Sequence, residues 1–127
     1  MKENAIAILL DLVERKNAID QTNSWSSGSE TYLAEIVKEV TEVEEAISSQ
    51  GIAHIEDELG DVLWDYLNLL RCLSTERNIS IESVFERALR KYDERISGIE
   101  NGVLWKDTKT KQKERLYKES LKDKGGT

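Results

Sequence analysis

The sequence contains no proline, one cysteine and one histidine, and aromatic residues make up only 6% of it. Because turn-rich punctuation is also sparse, this composition favours helices over a β-sheet protein. The single cysteine, Cys72, excludes an intrachain disulfide and fits a reducing compartment. No apolar run approaches the roughly 20 residues that cross a bilayer, so we expect no membrane segment and a cytoplasmic protein.

Basic residues are absent between Lys38 and Arg71, a stretch that carries nine carboxylates. Ordinary soluble helices mix the two signs, because like charges one turn apart destabilise the helix by a few tenths of a kcal/mol. Acids gathered without counter-charges need cations from elsewhere, and metal ions are the usual supply. The alternative is a solvated acidic face without a ligand.

Charge is distributed unevenly along the chain. Residues 1–105 carry a net charge of −11, whereas residues 106–127 carry +4. We therefore predict a domain over residues 1–105 and a basic, polar C-terminal helix or tail over residues 106–127. An acidic body argues against a nucleic-acid-binding surface, and we expect the basic tail to dock on acidic surface or to be solvated.

Five helical segments follow from the apolar periodicity. They are predicted over about 4–20, from a capping box at Ser27 and Glu30 to about 48, from 52 or 53 to about 77, from a Ser80 cap to about 97, and over 109–122. The last segment has only Leu116, Tyr117 and Leu121 to bury. The sequence thus predicts an all-α bundle of four to five helices, and a chain of this size would gain stability from oligomerisation.

The acids form a stripe on each of two successive helices. At about 100° per residue, they lie beside the apolar face of the second helix and opposite that of the third. The stripe residues are Glu35, Glu39 and Glu42, then Glu58, Asp61 and Asp65. The short connection between the helices favours antiparallel packing, which would bring the stripes together and suit Mg²⁺. A di-iron bundle is disfavoured, because His54 is the only histidine and lies outside any Glu-x-x-His motif.

The segments K-E-V-T-E-V-E-E-A-I (38–47) and E-D-E-L-G-D-V-L (56–63) resemble the MazG-like nucleoside triphosphate pyrophosphohydrolases of the all-α NTP pyrophosphatase superfamily. The resemblance extends to K-Y-D-E-R (91–95) and covers roughly residues 25–101. It implies a helical fold completed as a homodimer or homotetramer. It also implies Mg²⁺-dependent cleavage of a nucleoside triphosphate to monophosphate and pyrophosphate, with Mn²⁺ as a substitute for Mg²⁺. The metal ligands that it implies are Glu39, Glu42, Glu58 and Asp61.

Other residues receive candidate roles beside the metal ligands. Glu35 and Glu42 are both candidates for the general base. Lys91 and Arg95 are candidates for phosphate contacts, or belong to a solvated or internally paired basic stripe. Trp25 either stacks on a base or packs between the first two helices. The remaining candidates for base or sugar contacts, or for orienting metal ligands, are Asp65 and Asn68.

The sequence therefore predicts a nucleotide pyrophosphohydrolase that acts on a nucleoside triphosphate, with sanitising of the nucleotide pool as the role that the resemblance implies. The alternative is a non-catalytic, helical, metal-binding interaction or regulatory protein. A broken acidic motif would favour the alternative, and here all four acids of the two motifs are present.

Overall fold

A computed structural model describes residues 4–125, and every regular element in this range is an α-helix. The helices are α1 (Ala5–Asp20), α2 (Ser29–Ser49), α3 (Ile52–Glu76), α4 (Ile81–Glu100) and α5 (Trp105–Gly125). The predicted all-α class is confirmed. The first three residues of the predicted domain and the last two of the predicted tail lie outside the described residues. Among the described helices, none combines the length and the apolarity that a bilayer span requires.

The start of α2 differs from the predicted capping box. The N-cap residue is Gly28, and no side chain on the helix caps it. The carboxylate of Glu76, at the end of α3, instead accepts hydrogen bonds from the backbone nitrogen of Ser29 at 2.9 Å and from its Oγ at 2.5 Å. These bonds lower the pKa of Glu76. Gly28 has a φ of 83°, and a Cβ atom there would lie 2.5 Å from Glu76 Oε2, so the cap requires glycine.

The two C-terminal helices are longer than predicted. α4 continues through Gly98 to Glu100, and the chain turns only at Gly102, whose φ is 82°. In this turn the Val103 nitrogen donates to the Gly98 carbonyl at 2.7 Å. α5 begins at Trp105, before the predicted start of the last helix at residue 109. Among its few apolar residues, Leu116 and Tyr117 are 52% and 65% exposed.

The chain divides into two compact units, with the division after Ile81. The first unit contains α1, α2 and α3, and α3 packs against both other helices. Its buried apolar residues are Val13, Tyr32, Ala46, Leu67, Leu69 and Leu70. Because only Gln50 and Gly51 separate α2 from α3, these two long helices pack side by side in antiparallel directions. This packing places the two acidic stripes against each other.

The second unit contains α4 and α5, which long polar side chains join. Its buried residues in the described range are the polar Arg95 and Gln112, at 6% and 8% exposure. Arg95 Nε donates to Gln112 Oε1 at 2.8 Å, and Gln112 Nε2 donates to the Lys91 carbonyl at 2.9 Å. The domain boundary between residues 105 and 106 stays a prediction.

Candidate metal centre

Four carboxylates from α2 and α3 converge. Within each helix, three-residue spacing puts both acids of a motif on one face, and antiparallel packing turns the two faces together. Each acid offers one oxygen, and the four oxygens lie within 4.8 Å of one another. We call this set, which comprises Glu39, Glu42, Glu58 and Asp61, the four-acid cluster.

A second group of carboxylates lies one helical turn further along the same helix pair. Glu35 precedes Glu39 by four residues on α2, and Asp65 follows Asp61 by four residues on α3. Glu35, Glu39 and Asp65 each offer an oxygen within 4.8 Å of the others. Glu39 therefore belongs to both groups.

Three oxygens in these groups are buried and have no hydrogen-bond partner among the described residues. They are Glu39 Oε2, Glu58 Oε2 and Asp65 Oδ2. Burial of a carboxylate without a partner is unfavourable unless the group takes up a proton or binds a cation. The orphaned oxygens are thus the direct sign that these groups suit a ligand of positive charge.

The pKa values of the acids are raised accordingly. Burial, and then the neighbouring Glu42, raise the pKa of Glu39 to about 7. Burial, and then Glu35, raise the pKa of Asp65 to about 6. The pKa values of Glu58 and Asp61 are also raised, first by burial and then by other acids. Carboxylates that share a small volume disfavour one another's ionised forms, and a bound cation would reverse this effect.

The donor set of the four-acid cluster fits a hard divalent cation. Mg²⁺ and Mn²⁺ prefer carboxylate oxygens, and Mg–O distances of about 2.1 Å place opposite ligands of an octahedron about 4.2 Å apart. Oxygens that already lie within 4.8 Å of one another need little movement to reach this geometry. Glu42 is exposed, so the cluster also has an accessible side for substrate.

Trp25 lies in the loop before α2 and is 54% exposed. Its ring meets the ring of Tyr32 edge to face at 5.6 Å, and Lys16 Nζ lies 4.2 Å from its centroid. Tyr32 is buried and donates a hydrogen bond from its hydroxyl to Asp20 Oδ2 at 2.6 Å. Since Lys16 lies on α1 and Tyr32 on α2, Trp25 packs between the first two helices. Sequence reasoning did not find the hydrogen bond between Tyr32 and Asp20, because no helical period relates these two residues. The role of Trp25 in base stacking stays a prediction.

The two polar residues predicted on α3 are in different environments. Asp65 joins Glu35 and Glu39, whereas Asn68 is 1% exposed and donates from Nδ2 to the Trp64 carbonyl at 2.9 Å. The structure thus brings Asp65 to the acids and places Asn68 in the interior. Their contact with a base or sugar stays a prediction.

Lys91 and Arg95 line a basic groove in the second unit. The groove encloses about 290 Å³, and seven of its lining residues are lysine or arginine. Arg95 is held inside it by Gln112, and its guanidinium lies 5.2 Å and 5.1 Å from the rings of Tyr92 and Trp105. Among the described residues, Lys91 has no ion pair, so its ammonium is available to an anion.

Comparison with protein families gives a match over residues 27–98 to the MazG nucleotide pyrophosphohydrolase domain. The matched range contains α2, α3 and most of α4, and with them the four-acid cluster, Asp65, Lys91 and Arg95. The resemblance that the motifs predicted is confirmed. No curated protein and no solved structure matches the chain.

Proposed function

The chain belongs to the MazG nucleotide pyrophosphohydrolase family, and we propose that it hydrolyses a nucleoside triphosphate to the monophosphate and pyrophosphate with Mg²⁺. The observation that carries the proposal is the four-acid cluster, in which two of the four acids bury an oxygen without a partner. Removal of unwanted nucleotides from the cellular pool is the role we assign to this activity.

Glu39, Glu42, Glu58 and Asp61 would hold the cation. Mg²⁺ bound there supplies polarisation of the phosphate, stabilisation of the pyrophosphate leaving group and a lower pKa for the attacking water. The four acids would otherwise repel a polyphosphate, so the same residues make substrate binding depend on the cation. With the cation between them, an acidic site can therefore bind an anionic substrate.

Glu42 and Glu35 are the candidates to accept the proton of the attacking water. Glu42 is the exposed member of the four-acid cluster on α2. Glu35 lies outside this cluster and accepts a hydrogen bond from Lys38 Nζ at 3.0 Å. A carboxylate acts as a general base when it reaches the water directly. Both residues therefore stay candidates for the general base.

Substrate contacts are assigned from the remaining candidates. Lys91 and Arg95 contact the phosphates in this proposal, which the basic groove in their own unit supports. Trp25 stacks on the base, which its 54% exposure permits. Asp65 and Asn68 act from α3 on the base or sugar, or orient the residues that do. The substrate class is a nucleoside triphosphate, and nucleic acid is disfavoured by the acidic α2–α3 surface.

A homodimer or homotetramer is part of the proposal. Large apolar side chains of α2 and α3 are exposed, among them Val37 at 68%, Ile47 at 64% and Ile52 at 75%. Exposed apolar surface on this scale favours burial against another chain. Cytoplasmic placement is proposed from the single cysteine, which is consistent with a reducing compartment.

The test is a panel of canonical and modified NTPs and dNTPs, each incubated with Mg²⁺ or with EDTA. We expect metal-dependent release of pyrophosphate and monophosphate from a subset, which would also identify the preferred base and sugar. Orthophosphate release would contradict the assigned bond. No turnover by folded, metal-loaded protein would favour a non-catalytic, metal-binding interaction protein instead.

A further inference from the structure

Beyond the four-acid cluster, the helix pair α2–α3 contains the elements of a second cation site. We propose that Glu35, Glu39 and Asp65 bind a second divalent cation, of the Mg²⁺ and Mn²⁺ class, beside the one held by the four-acid cluster. The proposal extends the proposed function and rests on it for the first cation. Two of the three residues lie outside both E-x-x-E and E-x-x-D motifs, so the motifs do not imply this site.

Position along the helices brings the three residues together. Glu35 lies one turn before Glu39 on α2, and Asp65 lies one turn after Asp61 on α3. Because α2 and α3 run antiparallel, these two displacements go in the same direction along the pair. The result is one oxygen from each of three acids within a 4.8 Å span.

Asp65 provides the observation that separates this group from an ordinary acidic surface. Its side chain is largely enclosed, with the residue only 7% exposed, and Oδ2 has no hydrogen-bond partner in the part of the chain that the structure describes. An aspartate kept inside a protein for structural reasons normally accepts bonds from hydroxyl or amide groups. Asp65 instead lies beside two other carboxylates. All three can stay ionised only if a cation binds between them.

Local charge is not balanced by the protein itself. Within residues 4–125, the basic residue that contacts this group is Lys38, whose Nζ lies 3.0 Å from Glu35 Oε1 and whose side chain is 65% exposed. One solvated ammonium against three carboxylates leaves two negative charges. A divalent cation would offset this excess of negative charge.

The shared Glu39 defines how the two sites relate. A carboxylate with two oxygens can bridge two ions, and paired metal sites of this kind hold their ions about 3.5–4 Å apart. Three protein carboxylates leave about half of an octahedral sphere to water and to phosphate oxygens.

Mn²⁺ is the probe that tests the site. Full-length, EDTA-treated protein is titrated with Mn²⁺ at pH 8, and free and bound ion are followed by electron paramagnetic resonance. We expect two bound ions per chain and the broadened spectrum of a spin-coupled pair. Asp65→Asn is expected to bind one ion and to lose the coupling. The matched control is Asp57→Asn, an exposed acid on the same helix that should keep both ions.

Glu35→Gln provides a second variant, since Glu35 is less buried than Asp65 and its loss is safer for folding. It too should bind one ion. One ion in the parent chain, or two coupled ions in folded Asp65→Asn and Glu35→Gln, would overturn the proposal. Pyrophosphate release is measured in parallel. Turnover with one bound ion would refute the second site alone, whereas two coupled ions without turnover would refute the proposed function alone.

Discussion

The two units of the chain carry charge of opposite sign, and they differ in how that charge is satisfied. In the α4–α5 unit, Arg87 Nη2 donates to Glu119 at 2.9 Å and Arg115 Nη2 donates to Glu94 at 2.7 Å. These arginines lower the pKa values of Glu94 and Glu119. Between α2 and α3, by contrast, neighbouring acids and burial raise the pKa of Glu39.

Charges that pair within the chain stabilise the fold, whereas charges without a partner need a bound cation. Paired groups on α4 and α5 lower one another's energy within the chain. The acids on α2 and α3 destabilise the unliganded chain, and proteins retain such conflicts mainly where a site requires them. The raised pKa values between α2 and α3 agree with the position of the four-acid cluster on these two helices.

The largest expected effect comes from removing a charge in the four-acid cluster. Asp61→Asn or Glu39→Gln should lower the rate of pyrophosphate release by at least about 100-fold, because loss of a metal ligand removes several kcal/mol of transition-state stabilisation. Stability of the metal-free protein should stay equal or rise, since repulsion is relieved. Steady-state kinetics measure the rate of pyrophosphate release, and thermal melts measure the stability of the metal-free protein. The control is Glu44→Gln, which changes an exposed acid elsewhere on α2. An equal loss of activity in this control would contradict the assignment of Glu39 and Asp61 as metal ligands.

A smaller effect is expected from breaking the buried polar contact of the α4–α5 unit. Gln112→Ala leaves the buried Arg95 guanidinium without its partner, which should lower the free energy of unfolding by about 1–3 kcal/mol. Urea denaturation followed by circular dichroism measures this change. Glu119→Gln breaks only an exposed ion pair and should lower the free energy of unfolding much less than Gln112→Ala does. Equal effects of the two variants would show that Arg95 and Gln112 do not hold the unit together.

The smallest expected effect is the pH dependence of stability without metal. The folded-state pKa of Glu39, about 7, exceeds the ordinary value of 4.5, so the folded chain binds more protons than the unfolded chain between these values. Stability should therefore fall as pH rises from about 4.5 to 7, with a loss in Tm on the order of a few degrees.

Mn²⁺ should reverse this trend, because it holds the acids in their ionised form. Its stabilisation of the fold, seen as a rise in Tm, should be larger at pH 8 than at pH 5. Glu39→Gln should flatten the dependence measured in EDTA. A metal-free Tm that rises steadily through this range would mean that the acids are already satisfied within the chain.

Periodicity made much of the fold and the main cluster predictable. The three-residue spacing within Glu39-x-x-Glu42 and Glu58-x-x-Asp61 is a local property, and a short connection leaves two long helices little choice but antiparallel packing. The convergence of four acids follows from these two facts. The last predicted helix is also present, but it begins at Trp105, before its predicted start. Its apolar residues Leu116 and Tyr117 are exposed in the described chain, because an apolar residue on a helix is buried only if another surface covers it.

The sequence by itself determined the helical class, the acidic stripes and the family, because each depends on residues close together in the chain. Tertiary structure alone decided that Glu76 caps α2 and that Arg95 is enclosed by Gln112. Each of these contacts joins residues 17 or more positions apart, where helical spacing no longer fixes distance. Packing then determines which polar groups meet a partner and which, like Asp65, are buried without one.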